Sequence, residues 1–86
     1  MKIEELENGY KLTDLYIAAS ILCEPGMELV NIEKKSENKY SMFVIKGDPS
    51  RIKQIYDDFF NSKYRVDPSL FKNKLKMLRS RMFTGY

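Results

Sequence analysis

Two Asp-Pro-Ser triplets, at 48–50 and 67–69, constrain the fold more than any other feature of this 86-residue chain. In each, the aspartate can cap a helix by accepting from free N–H groups of the first turn. The proline that follows suits the first helical position, where a missing N–H costs nothing. Each triplet also opens an apolar pattern of helical period. Ile52, Ile55, Tyr56 and Phe59 follow the first triplet, and Phe71, Leu75, Leu78 and Met82 follow the second. Asn61 and Ser62 stop the first of these helices. Tyr64-Arg65-Val66 reads as a short extended link with the makings of a third strand.

Upstream, Thr13 is placed to cap a helix, with Asp14 in its first turn, where a negative charge suits the helix dipole. The run from Leu15 to Cys23 is apolar nearly all round, the mark of a helix touched on several sides. Pro25 and Gly26 end it. Met27–Lys35 and Tyr40–Lys46 are rich in β-formers and flank a polar turn at 36–39, so they predict an antiparallel hairpin. The expectation is an α+β fold in which this hairpin packs against three helices, in the order α-β-β-α-α. Residues 1–9 are expected to form a flexible N-terminal arm, and 10–86 a single domain. Phe43, Phe59, Phe60 and Phe71 are the expected aromatic core, except that Phe59 and Phe60 cannot face the same way on one helix. One of the two is therefore expected against the last helix or an oligomer interface. A two-stranded hairpin is marginal alone, and its second face leaves room for an added strand or a homodimer.

Composition removes whole classes of function. The chain has no His and one Cys, which excludes His-based triads and disulfide frameworks within one chain. Cys23 lies in an apolar run with no nearby cation, so it reads as a small hydrophobe in a reducing compartment. Asp57-Asp58 points in two directions on a helix and does not converge on a metal. Glu33-Lys34-Lys35 resembles the tail of a metal-nuclease signature, yet the earlier acid it would need, Asp14, starts a helix. The four glycines are isolated, so there is no phosphate-cradling loop. No catalytic residue, metal or cofactor is expected. No apolar run approaches the ~20 residues of a membrane span. The acidic opening residues carry no apolar signal-peptide core, so the expected location is cytoplasmic.

Thr13, Asp14, Ala18 and Ala19, then Phe43, then Val66 and Asp67, then Leu78 and Arg79 carry a resemblance. Together they resemble a small, uncharacterised bacterial, archaeal and phage domain family with a helix–hairpin–helix–helix layout. The resemblance covers most of residues 10–82. It implies a fold and a phage or mobile-element setting, with no activity and no site residues.

The net charge of +3 hides a gradient: residues 1–14 carry −2, residues 15–60 carry −1, and residues 61–86 carry +6. On the last helix Lys72, Lys76 and Arg79 fall on one flank of the apolar seam, and Lys74 and Arg81 on the other. Such a helix can be core-packed with solvated edges, can face a polyanion, or can be offered to a protein partner. The expected function is a small non-enzymatic interaction protein that binds nucleic acid through this end. The expected site is Lys63, Tyr64, Arg65, Lys72, Lys76 and Arg79, with Tyr64 available for stacking. The alternative is a protein-binding module, including an inhibitor of a host nucleic-acid enzyme. A membrane partner is not expected, because the seam is needed to build the core.

Overall fold

The computed structural model describes residues 3–34 and 41–83. It contains four strands and three helices: β1 (Ile3–Leu6), β2 (Gly9–Leu12), α1 (Leu15–Leu22), β3 (Glu28–Lys34), β4 (Ser41–Lys46), α2 (Pro49–Phe60) and α3 (Pro68–Phe83). The strands form one antiparallel sheet in the order β1-β2-β4-β3. The class is α+β as expected, but the sheet is four-stranded and not a lone hairpin.

The difference lies at the start of the chain. Residues 3–6, expected within an arm, pair with β2 as an edge strand, Ile3 opposite Leu12 and Leu6 opposite Gly9. Ile-Glu-Glu-Leu does not alternate, so the two-residue period that announces a half-buried strand is missing. Charge on such a strand instead suits an edge. β2 in turn pairs with β4, and Gly9 lies so close to it that a Cβ would collide with the Ile45 carbonyl oxygen. Only glycine permits that approach. Tyr64-Arg65-Val66 joins no strand and remains a link. The turn expected at 36–39 lies outside the described residues.

One sheet face carries Tyr10, Leu12, Ile32, Phe43 and Ile45, all buried. β3 reaches this face through a bulge. Leu29 opposes Ile45 and Asn31 opposes Val44, leaving Val30 as the extra residue, 53% exposed. The extra residue lets Leu29 and Ile32, three apart, both pack on the core. On the opposite face Lys11 of β2 reaches over β4 to Glu33 of β3, 3.2 Å away.

The helices form two further layers. α1 packs on β4 and α2 on β2, while α3 packs on α1. This arrangement explains the composition of α1, where Ile17 to Leu22 are all buried. Ser20 is the one polar member of that run, and its hydroxyl donates back to the Tyr16 carbonyl at 2.9 Å. The cap of α1 is Asp14, not Thr13. Asp14 has an extended backbone and its carboxylate accepts from the Ile17 N–H at 2.9 Å, so the helix begins one residue later than expected.

Both Asp-Pro starts behave as the triplets imply. Asp48 accepts from the Ser50 N–H at 3.1 Å, and Asp67 from the Ser69 N–H at 3.4 Å. α2 ends in a two-bond C-terminal motif. Lys63 N–H donates to the Asp58 carbonyl at 2.8 Å, and Ser62 N–H to that of Phe59 at 3.2 Å. Ser62 takes the left-handed position there, with φ 58°. Of the pair Phe59 and Phe60, it is Phe59 that packs on the core, while Phe60 is 54% exposed and rests its ring against Tyr56 at 4.9 Å. Consecutive helix residues point about 100° apart, so burying Phe59 turns Phe60 outward.

Candidate nucleic-acid interface

α3 touches the rest of the molecule on one side only. Leu78 is fully buried, and Phe71, Leu75, Met77 and Met82 pack around it against the core. Met77 widens the buried strip beyond the expected narrow stripe, and this separates the two basic flanks. Lys74 and Arg81 lie between Met77 and Leu78 around the helix and are half-buried. Lys72, Lys76 and Arg79 lie beyond the opposite edge and are exposed. They occupy an arc of about 60° and span about 10 Å of helix axis.

The direction of α3 follows from its contacts. Near its start, Phe71 lines a recess with Ser20, Phe59, Ser62, Tyr64 and Val66. Toward its end, Arg79 donates to the Tyr16 hydroxyl at 3.4 Å. Ser20 lies one turn after Tyr16, so α3 runs antiparallel to α1.

The expected site residues therefore separate into two groups. Lys63 and Arg65 are exposed on either side of Tyr64, at the end where α3 begins. Lys72, Lys76 and Arg79 run from there toward Tyr16. The ion pairs Lys11–Glu33, Arg51–Glu24 and Lys53–Asp57 take cations from the sheet and from α2. Among the described residues, none of them draws on Lys63, Arg65, Lys72, Lys76 or Arg79.

Tyr64 has a structural task. Its hydroxyl donates to the Ser20 carbonyl at 2.8 Å, tying the link to α1. Burial, with smaller contributions from Cys23 and Glu24, pushes its pKa up to about 12. A ring held in this way is a poor platform for a base. Tyr16, which sequence reasoning passed over, is 48% exposed and adjoins Arg79. The available signal was that it is the one aromatic residue in the first turn of an otherwise aliphatic helix.

Other constellations are occupied locally. Asp57 pairs with Lys53 and Asp58 accepts from Gln54, each at 2.8 Å. Glu33 is paired with Lys11, and the Asp14 carboxylate is engaged by its own helix. Burial raises the pKa of the Cys23 thiol, which works against thiolate chemistry. Among the described residues no three of His, Cys, Asp or Glu gather in a metal-binding group. The recess beside Tyr64 measures about 250 Å³, and a groove on the outer sheet face lined by Leu6, Val30 and Val44 about 180 Å³. Both fall below the ~300–1,000 Å³ of typical small-molecule sites. Among the described residues no helix is long and apolar enough to cross a membrane.

Residues 7–84 match the family described as Domain of unknown function (DUF5659), and the chain belongs to that family. No curated protein matches it, and no solved structure does.

Proposed function

We propose that this DUF5659 domain is a non-enzymatic, cytoplasmic nucleic-acid-binding protein that contacts phosphates through the exposed flank of α3. The observation that carries this reading is the row Lys72, Lys76 and Arg79, exposed, on one arc, and outside the ion pairs of the described residues. Lys63 and Arg65 extend the positive surface at the start of the helix. Neutralising phosphates releases condensed counterions, so such a surface gains affinity without reading base sequence. A phage or mobile-element setting is what the sequence resemblance implies.

Binding of the full chain to labelled duplex and single-stranded oligonucleotides at ~50 mM salt tests the proposal, and a chain that ignores both contradicts it. The second reading, a protein-binding module or an inhibitor of a nucleic-acid enzyme, is favoured by Phe60, a large apolar residue that is 54% exposed. Self-association belongs to this reading. A complex built on such an apolar contact would weaken little with salt.

A further inference from the structure

We infer that the nucleic acid taken by this surface is single-stranded, with Tyr16 as the platform on which an unpaired base stacks. The inference rests on the phosphate-binding reading above and goes beyond it by naming the strand state and the residue that selects it.

Three observations carry it. Tyr16 is 48% exposed, although it stands in the first turn of a helix whose next six residues are buried. Its hydroxyl also meets the basic arc. Its backbone carbonyl accepts from Ser20, and its hydroxyl accepts from Arg79 at 3.4 Å. Arg79 is also the member of the basic arc nearest the α1–α3 seam, so ring and charge row are continuous. An aromatic face beside a track of cations is the combination that single-strand binders use: cations follow the backbone and rings take bases. In a duplex the bases already stack on one another and offer no face to a side chain. Arg79 serves both parts, since its guanidinium can meet a phosphate or extend the stacking plane.

Stacking and phosphate contact leave different marks, which makes the inference separable from the reading beneath it. Loss of the ring should weaken binding without changing its salt dependence, because a neutral side chain releases no counterions. Loss of Lys76 should make the salt dependence shallower by about 0.7 on a single strand.

The test uses the full chain with an oligothymidylate of about 15 nucleotides and a duplex of equal length. The expected result is tighter binding to the single strand. Tyr16→Leu should weaken that binding roughly 5- to 150-fold at an unchanged salt slope, while Tyr16→Phe stays within about twofold. Tyr16→Trp gives a direct optical reading, since the chain has no other Trp. It should keep its affinity, and its fluorescence should fall when oligothymidylate is added. Circular dichroism of each variant separates lost binding from lost folding, and Tyr16→Trp reports stacking even if Tyr16→Leu fails to fold. Equal or tighter duplex binding, with Tyr16→Leu behaving as the parent, would overturn the inference and leave the phosphate-binding reading standing. Binding to neither oligonucleotide would overturn both.

Discussion

The Tyr64 hydroxyl donates a hydrogen bond to the Ser20 carbonyl oxygen, 2.8 Å away and 44 positions earlier in the chain. This bond fixes the α2–α3 link on the second half of α1, and so sets where α3 begins. Ser20 also back-bonds to Tyr16, which puts both ends of the candidate surface on one short helix.

Burial of the Tyr64 hydroxyl makes stability pH-dependent at the alkaline end. With its pKa raised from 10.0 to about 12, Tyr64 favours the fold only while protonated. Its contribution is complete below pH 10 and is lost as pH rises from there toward 12. Burial raises the Tyr10 pKa as well, with Glu5 adding to the shift, so that group acts in the same sense. Tyr64→Phe should cost about 0.5–1.5 kcal/mol at neutral pH. The Ser20 carbonyl keeps a second donor, the Cys23 N–H, so no acceptor is orphaned. Urea denaturation of parent and variant across this range should show the variant losing less of its stability as pH rises. Parallel losses would contradict the assignment.

The helix starts give a second prediction. Asp14→Ala and Asp67→Ala should each cost about 0.5–2 kcal/mol, and serine at either position should restore most of it. Thr13→Ala should not reproduce the loss of the cap bond itself, since it is the Asp14 carboxylate that accepts from the Ile17 N–H. Thermal melts decide between the two positions. An Asp67→Ser variant that melts normally but binds no nucleic acid would show that the carboxylate does more than cap.

Ser62 offers a stabilising change. It holds φ 58° in the motif that closes α2, a conformation that costs an ordinary residue about 1–2 kcal/mol and glycine nothing. Glycine also loses more freedom on folding, which returns part of that gain. Ser62→Gly should therefore raise stability by about 0.5–1 kcal/mol, read as a higher urea midpoint at constant slope. A lowered midpoint would mean that the serine side chain contributes something its backbone geometry does not reveal.

Burial on α3 predicts an asymmetry between its flanks. Leu78→Ala should cost about 2–5 kcal/mol, because the side chain is fully buried between α1 and α3. Lys72→Ala and Lys76→Ala should leave stability within about 0.5 kcal/mol and act on binding alone. Lys74, half-buried beside the seam, should affect binding less than either. Equal binding losses at Lys72 and Lys74 would argue against a single exposed flank.

What was legible in the sequence was local chemistry. Asp48-Pro49 and Asp67-Pro68 announced α2 and α3, and the all-round apolar run announced α1 as a central helix. The strand at 3–6 was illegible because its reason is tertiary. It exists to pair with β2, and β2 is admitted to the sheet by the bare backbone of Gly9 beside Ile45. The basic flank could be drawn from periodicity. The inward turn of Lys74 and Arg81 depended on how far the buried strip spreads, which Met77 decides. Tyr16 and Arg79 stand 63 positions apart, and no spacing rule joins them. Tyr64 looked like a free ring because nothing near it in the sequence shows that its partner is a carbonyl on α1.

The salt dependence of binding tests the central claim most directly. The affinity of the full chain for an oligonucleotide, measured from ~50 to 200 mM salt, should fall with a log–log slope of roughly −2 to −5, as three to five phosphate contacts require. Lys76→Ala should make that slope shallower by close to one unit on duplex or about 0.7 on a single strand. A slope near zero, or a slope unmoved by Lys72→Ala and Lys76→Ala, would contradict phosphate binding by the exposed flank of α3.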